Sequence, residues 1–229
     1  MKEAKSLLSS FFSAIYPAKC AVCGLVGFDV VCDQCQQELI REELHFVQPI
    51  AFVDEVWAFH AYEQTAAEMV KALKYHRETA LGHRMAGDVL DVYTAHFASV
   101  DFIVPVPIHR SRLAWRGFNQ AVALCSRLPD SMVREGLVRT RRTTPQVHLN
   151  AEERANNLEG AFEALSIPKG CRVLLVDDVF TTGATASECA RALKKAGASY
   201  VGVGCFAAKR RDYPASPASP AYDQRAEDQ

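Results

Sequence analysis

Two adjacent acids followed by a turn of small residues give this sequence its clearest chemical signal. Asp177 and Asp178 come directly after the apolar run 173–176. The turn that follows contains Thr181, Thr182, Gly183, Ala184 and Thr185. Hydroxyls and backbone N–H groups at such a turn can bind a phosphate, and glycine lets the backbone approach it closely. Carboxylates beside that turn suit sugar hydroxyls or a magnesium ion, so the segment is typical of a site for a 5-phosphorylated ribose.

A competing interpretation assigns both acids to capping the helix after the turn. One capping acid is common, but capping does not readily explain two adjacent acids before T-T-G-A-T. The sequence lacks two other phosphate-binding patterns, G-x4-G-K-[ST] and G-x-G-x-x-G. Gly202 and Gly204 lie in an apolar run without a third glycine.

Four cysteines near the N-terminus form a second candidate site. Their spacing is C-x2-C-x8-C-x2-C, through Cys20, Cys23, Cys32 and Cys35. Each C-x2-C turn can aim two thiolates at one point, and four sulfur ligands suit tetrahedral zinc. We therefore expect a structural zinc knuckle without a catalytic role. Two disulfides, a redox-active pair and an iron–sulfur cluster are the alternatives.

Basic residues are concentrated in the middle of the chain. Residues 102–151 contain eight arginines and two acids, a formal charge of +6, although the whole chain of 229 residues has a net charge of -1. The first basic stretch contains Pro107, His109, Arg110, Arg112 and Arg116. Arginines in a loop at a strand end can hold a pyrophosphate through paired hydrogen bonds. A solvated basic surface is the plainer explanation of the charge alone.

The pattern of apolar residues predicts the elements that position these sites. Strands are expected at 56–62, 101–106, 172–176 and 200–207, and helices at 33–44, 65–74, 79–97, 118–128 and 185–196. Strand, helix and strand in that order form a right-handed βαβ unit, so the fold class is α/β with a parallel sheet flanked by helices. The acid pair would then lie at the carboxyl end of a strand, where such sheets bind ligands.

Composition narrows the class of protein further. With 49% hydrophobic and 23% charged residues, the chain resembles a soluble globular protein, and no apolar run approaches a membrane span. Four more cysteines scattered through apolar stretches suggest a reducing compartment, so we interpret the protein as cytoplasmic. The apolar residues before Pro17 share one helical face, which favours an amphipathic helix over a secretory signal. From Lys209 onwards the composition predicts a disordered tail.

The segment VLLVDDVFTTGAT resembles the phosphoribosyl-pyrophosphate (PRPP) motif of type I phosphoribosyltransferases over all its positions. This resemblance implies that Asp177 and Asp178 hold the ribose hydroxyls of magnesium-bound PRPP. It also implies that the turn 181–185 holds the 5-phosphate.

The whole set of motifs is similar to the narrower ComF family of competence-associated proteins. The shared features are the four-cysteine knuckle, P-V-P-x-H-R…R-G-F-N-Q, R-x-R-x-T-x-x-Q-x-x-L…R-x-x-N and the acid-pair motif. The third pattern implies a loop that closes over the ligand, with Arg139, Arg141, Thr143, Gln146, Arg154 and Asn157. The family is associated with DNA uptake in natural transformation and with handling of incoming single-stranded DNA. Its phosphoribosyltransferase-like domain is thought to bind PRPP.

Together these features predict a helix and zinc knuckle at 1–48, a phosphoribosyltransferase-like domain at 49–208 and a tail at 209–229. One function that fits is a phosphoribosyltransferase of nucleotide metabolism or salvage, which acts on an unidentified acceptor and stabilises the departing pyrophosphate. The other is a non-catalytic module that binds PRPP and handles single-stranded DNA beside DNA-uptake proteins. Trp115 and Phe118 would then be available to stack on bases, although core packing also accounts for both rings.

Overall fold

The computed structural model describes residues 18–28, 30–47, 50–76, 79–141 and 158–210, with His76 described for its backbone alone. The expected N-terminal amphipathic helix and the tail beyond residue 210 lie outside these ranges. Four residues of the expected closing loop also lie outside them, namely Thr143, Gln146, Arg154 and Asn157.

Seven strands are present in the described ranges. They are β1 (Leu44–Val47), β2 (Glu55–Ala61), β3 (Phe102–Pro105), β4 (Leu137–Arg139), β5 (Phe162–Ala164), β6 (Arg172–Phe180) and β7 (Tyr200–Ala208). Five of them form one sheet in the order β1-β2-β7-β6-β3. β1 runs antiparallel to β2, whereas the other neighbours are parallel. β4 and β5 form a separate antiparallel pair.

Helices cover both faces of the sheet. They are α1 (Asp33–Glu38), α2 (Gln64–Lys71), α3 (Thr79–His96), α4 (Arg110–Arg116), α5 (Gln120–Leu124) and α6 (Ala184–Ala196). A π-helical turn, Ala72–His76, extends α2. The predicted α/β class with a mostly parallel sheet is therefore confirmed. Among these helices, none combines the length and apolar character needed to cross a bilayer.

The core lies on both sides of the sheet, and β6 contributes to both. Leu174 packs with α3 and the α2 turn on one face, and Leu175 packs with α6 on the other. Both leucines are fully buried, which explains the continuous apolar run that the sequence shows here. Because side chains alternate along a strand, Asp177 lies on the α6 side of β6 and Asp178 on the α3 side.

Several short elements differ from those that the sequence predicts. α1 ends at Glu38, because Leu39 has an extended backbone with ψ of 91°, and the chain then forms β1. The loop expected after β3 contains α4, which His109 caps and Gly117 ends in a left-handed conformation. The helix expected at 118–128 is reduced to α5. Arg139, expected to begin a loop, is the last residue of β4.

Candidate functional site

Asp177 and Asp178 are the sixth and seventh of the nine residues of β6, and the two carboxylates have different surroundings. Asp177 is partly exposed and borders a cleft at the carboxyl end of the parallel strands. Asp178 is only 1% exposed. The backbone N–H of Asp178 donates to Asp177 Oδ1 at 2.9 Å, which fixes the first carboxylate against the strand. The two carboxylates therefore differ in their exposure to solvent and in the groups that contact them.

Asp178 belongs to a chain of buried and partly buried polar side chains along the floor of the cleft. Lys74, in the π-helical turn after α2, forms an ion pair with Asp178 Oδ2. Gln120 Nε2 donates to Asp178 Oδ1 at 3.2 Å, and Gln120 Oε1 accepts a hydrogen bond from Arg116. We call Lys74, Asp178, Gln120 and Arg116 the floor chain. Its one carboxylate pairs directly with Lys74 and is linked to Arg116 through Gln120, and these contacts offset the cost of removing its charge from water.

The surroundings move the pKa values of the two acids in opposite directions. Burial alone would raise the pKa of Asp178, but the Lys74 ammonium and hydrogen bonds from Asp177, Lys74 and Gln120 bring it below its ordinary value. Burial and the adjacent Asp178 charge hold the pKa of Asp177 well above its ordinary value. Asp178 is therefore the ionised member of the pair, and the charge of Asp177 responds to what binds beside it.

The turn after β6 encloses a small cavity of about 30 Å³ lined by residues 180–186 with Val106, Asp177, Val179 and Val203. Gly183 has a φ of 78°, in the left-handed region that favours glycine. A Cβ at this position would lie 2.6 Å from Ile50 Cδ1 and 2.9 Å from the Phe180 ring. The N-terminus of α6 faces this turn, so backbone N–H groups and the helix dipole favour an anion here. These contacts make the cavity a candidate phosphate site.

A larger open cleft of about 370 Å³ adjoins this cavity, and both share Asp177, Thr181 and Thr185. Four cationic side chains line the cleft, namely Lys74, Arg112, Arg116 and Arg139. The Nε of Arg116 is buried and has no hydrogen-bond partner in the described part of the chain. Burial lowers the pKa values of Arg116 and Arg139, but a guanidinium stays charged at neutral pH. The four cations outnumber the two carboxylates that line the cleft, so the cleft favours binding of an anion.

Three of the residues expected to bind pyrophosphate line this cleft, namely Pro107, Arg112 and Arg116. His109 instead caps α4, where its Nδ1 accepts from the Ser111 N–H at 3.2 Å. Arg110 is exposed at the first position of that helix. The residues that line the cleft in the described ranges include neither of these two. Part of the predicted basic stretch therefore lies at the cleft, but the sequence pattern does not separate the residues that line the cleft from those that cap α4 or lie exposed on it.

Of the expected closing loop, the structure describes Arg139 and Arg141. Arg139 lies over the Phe162 ring, 5.2 Å from its centroid, and lines the cleft. Arg141 NH2 donates to the carbonyl oxygen of Glu159 at 2.7 Å. Sequence reasoning does not single out Lys74, Tyr75 or Gln120. Gln120 could have been found as the last residue of R-G-F-N-Q, whereas no local pattern marks Lys74.

The four N-terminal cysteines converge on one point. Their Sγ atoms all lie within 4.8 Å of one another, and those of Cys23 and Cys32 are 3.6 Å apart. A tetrahedral zinc with Zn–S bonds of about 2.3 Å needs sulfurs roughly 3.8 Å apart, so the donor set fits that ion. Burial opposes ionisation of Cys20, yet hydrogen bonds from the backbone N–H groups of Cys23 and Cys32 lower its pKa to about 6. No disulfide links these cysteines, all of which are described.

The chain is similar in sequence to several known proteins. The phosphoribosyl transferase domain family matches residues 113–221. The chain is 31% identical over 199 residues to DNA utilization protein YhgH of Salmonella typhimurium, covering 82% of each chain. It is 36% identical over 158 residues to the Escherichia coli K12 protein of that name, covering 63% of this chain and 68% of that one. It is 37% identical over 109 residues to Competence protein F of Haemophilus influenzae, covering 44% and 47%.

Solved structures give a weaker match. Glutamine phosphoribosylpyrophosphate amidotransferase from B. subtilis is similar with a TM-score of 0.35 and 21% identity, over 53% of this chain and 25% of that one.

Proposed function

This chain belongs to the ComF family of type I phosphoribosyltransferase-like proteins, and on that premise we propose that it binds magnesium–PRPP in the cleft beside the acid pair. The ligand would lie with its 5-phosphate in the cavity of the turn 181–185 and its ribose over Asp177. Its diphosphate would lie among the cations of the larger cleft. The hydroxyl, carboxylate and guanidinium groups of this site match those three parts of the ligand in that order.

The observation that carries this proposal is that the small cavity and the cationic cleft meet at Asp177. PRPP has a phosphate at C5 and a diphosphate at C1, at opposite ends of one ribose. A pair of anion sites with a carboxylate between them matches that order. The described residues that line the small cavity include none of the four cations. The small cavity would therefore bind a phosphate through backbone N–H groups and hydroxyls, and the cleft would bind a diphosphate through cationic side chains.

Two metal ions belong to the proposal. Magnesium would be held by the diphosphate oxygens and the Asp177 carboxylate, since this ion prefers oxygen ligands and often binds with phosphates. It would reduce the repulsion between the ligand and the carboxylates. Zinc would be held by Cys20, Cys23, Cys32 and Cys35 and would stabilise the N-terminal knuckle.

We further infer that the protein acts in DNA uptake or utilization by handling single-stranded DNA. Relatives named for DNA utilization and competence support this role. An exposed aromatic pair at the cleft supports it too, since Tyr75 and Trp115 are each 53% exposed and their ring centroids are 6.4 Å apart. Exposed rings beside arginines suit the bases and phosphates of a single strand. Phe118 is partly buried against the core, which makes it the poorer candidate for stacking.

A phosphoribosyltransferase with an unidentified acceptor is the second candidate function. Lys74, Arg112, Arg116 and Arg139 converge where a pyrophosphate would depart, and fixed cations can stabilise a leaving group as its charge develops. Such transfer proceeds mainly by stabilising the leaving group, so a general base is not essential to it.

Titration of magnesium–PRPP by calorimetry tests the proposed ligand. Wild-type protein loaded with zinc should bind saturably, and Asp177→Asn should bind much more weakly because the neutral amide is a poorer acceptor for sugar hydroxyls. An absence of wild-type binding in a folded sample would refute the ligand.

Fluorescence anisotropy with a labelled single-stranded oligonucleotide tests the DNA role separately. We expect an affinity that falls steeply with salt and that Trp115→Ala reduces. Phe118→Leu serves as a control for the buried ring. A salt-insensitive or absent affinity would count against DNA handling, whatever the result with PRPP.

A further inference from the structure

We propose that the four-cysteine knuckle is a redox-sensitive site, at which hydrogen peroxide oxidises Cys23 and Cys32 to a disulfide and the zinc ion is released. This inference rests on the proposed zinc site and is independent of what the cleft beside the acid pair binds. It assigns the knuckle a regulatory role in addition to its structural one. Three observations support it: the exposure of one cysteine, the distance between two sulfurs and the contacts of α1.

Exposure separates Cys23 from the other cysteines of the chain. All eight cysteines are described, and Cys23 is exposed whereas the other seven are buried. A thiol that binds zinc is deprotonated, and oxidation of cysteine follows thiolate character and exposure to solvent. A core thiol such as Cys125 has neither property, because burial raises its pKa to about 12. A peroxide would therefore react first at the Sγ of Cys23.

Cys32 provides the second sulfur of the disulfide. Its Sγ lies 3.6 Å from that of Cys23, so the two sulfurs must approach by only about 1.5 Å to reach disulfide length. The Cys23 thiolate would attack one oxygen of the peroxide, which forms an S–O bond, breaks the O–O bond and releases hydroxide. The Cys32 thiolate would then displace the second hydroxide from the Cys23 sulfur and form the S–S bond. Two electrons pass from the two thiolates to the peroxide, and the two hydroxides take protons from the solvent.

The position of α1 explains how this reaction would reach the rest of the domain. Cys32 immediately precedes α1, and Cys35 lies within it. The backbone N–H of Cys32 donates to Cys20 Sγ at 3.4 Å, so movement of Cys32 disturbs the start of the helix. The same helix contacts α3 through the hydrogen bond between Gln36 and Arg84. With two sulfur ligands left instead of four, the site would lose its metal, and the oxidised protein should be less stable.

Treatment of the zinc-loaded full chain with hydrogen peroxide tests the proposal. A chromogenic chelator should report release of zinc, and mass spectrometry of peptides from the non-reduced protein should locate a disulfide between Cys23 and Cys32. The melting temperature should fall as zinc is released. A dithiol reductant together with added zinc should restore both the metal content and the melting temperature.

Cys23→His is the diagnostic variant, because a histidine can still bind zinc but has no exposed thiolate. It should retain its metal and release it about tenfold or more slowly than wild-type protein under the same peroxide treatment. Cys125→Ala is the matched control, since it removes a buried thiol and should release zinc as fast as wild-type protein. If Cys23→His does not fold, differential alkylation of briefly oxidised wild-type protein still identifies the cysteine that reacts first.

Three results would overturn the proposal while the zinc site itself stands. They are retention of zinc in wild-type protein whose cysteines have been oxidised, equal rates of zinc release from wild-type protein and Cys23→His, and first oxidation at a cysteine other than Cys23. A disulfide within one C-x2-C turn would overturn the assignment of Cys32 as the partner. If the purified protein contains no metal and binds no added zinc, the proposed zinc site is wrong and this inference falls with it.

Discussion

Asp177 and Asp178 show how two identical neighbours on a strand acquire different properties. Alternation along β6 places the two carboxylates on opposite faces of the sheet, where Asp177 borders the small cavity and Asp178 pairs with Lys74 in the floor chain. A full cation compensates the charge of Asp178, whereas backbone groups and the cleft surround Asp177. The raised pKa of Asp177 follows from that difference and leads to a measurable linkage.

We expect PRPP binding to release a proton from Asp177. Because its pKa is raised, the free protein holds this proton above the ordinary range of an aspartate, while two sugar hydroxyls or a magnesium ion require the ionised form. Affinity should therefore rise with pH until Asp177 is fully ionised. Calorimetry in two buffers of different ionisation enthalpy measures the number of protons released on binding. The same measurement on Asp177→Asn gives the number of protons that the ligand itself releases. Identical heats in both buffers would contradict the assignment.

Gly183→Ala should abolish binding of the 5-phosphate and destabilise the protein by about 1–3 kcal/mol, the cost of a strained non-glycine residue at positive φ. The new Cβ would also lie 2.6 Å from Ile50 Cδ1, which adds a clash next to the phosphate turn. Urea unfolding and ribose 5-phosphate titration measure the two effects.

Gly170→Ala is the matched control for that substitution. Gly170 has the same φ of +78°, but apart from Gly170 itself and its two chain neighbours, no described residue has an atom within 4 Å of the position that its new methyl group would occupy. It should lose stability through strain alone and keep its ligand affinity. Equal losses of stability and of ribose 5-phosphate affinity in the two variants would mean that the close approach of Ile50 and Phe180 to position 183 has no measurable effect.

The local sequence pattern predicts the site residues that are close together in the chain, but it does not predict those that come from distant segments. The order of apolar run, acids and T-T-G-A-T is contiguous, so a strand, a turn and a helix could be predicted around Asp177. The predicted end of the strand at residue 176 was wrong, because β6 continues to Phe180, pairs there with β7 and so contains both acids. Lys74 is more than a hundred positions away from Asp178 in the chain. Their contact depends on how α2 packs on the sheet, and no spacing rule encodes that.

Among the elements, the four-cysteine knuckle is attached to the α/β domain by polar contacts as well as packing. Arg84 NH2 donates to Gln36 Oε1 at 2.6 Å, and Arg41 NH1 to Asp91 Oδ2 at 2.9 Å. The buried His60 contacts the carbonyl oxygen of Ile40 through Nδ1 at 2.9 Å. These contacts link α1 and the segment after it to β2 and α3, so order in the knuckle should influence stability beyond it.

We expect one zinc per chain, and its removal should lower the thermal stability of the whole domain. Cys20, Cys32 and Cys35 are buried, and without a metal the bonds that join the two C-x2-C turns would be lost, so the knuckle would loosen. Elemental analysis and thermal unfolding with and without a chelator check this. Cys35→Ser should lose the metal, whereas Cys125→Ala, at a lone core cysteine, should retain it. A protein purified without any bound metal would contradict the expectation.

Stability should fall as the pH drops below about 6.5, the ordinary pKa of histidine, because of His96. This ring is stacked on Trp57, with centroids 3.5 Å apart, and its buried Nε2 has no partner in the described structure. Burial lowers its pKa, so the unfolded chain binds a proton that the folded chain does not. His96→Phe should reduce the loss of urea resistance on acidification. His83→Phe, at an exposed position of α3, should not.

Long elements could be predicted from periodicity, and short ones could not. α3 and α6 have several turns of amphipathic pattern and appear close to their expected ranges. α1, α4 and β1 contain only four to seven residues each, and their limits depend on caps and tertiary contacts. The end of α1 before Leu39 and the capping of α4 by His109 are examples of limits that are set in this way.

At the scale of the whole molecule, the candidate site draws on separate parts of the chain. Lys74 follows α2, Arg112 lies in α4, Gln120 in α5, Arg139 in β4 and Asp177 in β6. A ligand that contacts them joins elements from both faces of the sheet. Unfolding any one of these elements would therefore also cost ligand affinity.

Saturating PRPP should raise the melting temperature by several degrees. A ligand at a hundred times its Kd contributes about 2.7 kcal/mol to stability. In a domain of this size, that corresponds to a shift of roughly 5–11 °C. Thermal scans at increasing PRPP concentration measure the effect, with Asp177→Asn as the control. A concentration-independent melting temperature would contradict a site that involves so many elements.

The strand order also affects how the chain is made. β7, the last strand that the structure describes, lies between β2 and β6 and pairs with both. On a translating ribosome, the earlier strands must therefore remain with unpaired edges until residues 200–208 emerge. A nascent chain halted before that point would present two unpaired sheet edges to chaperones and proteases. Insertion of β7 is thus the step that ends this exposure during synthesis.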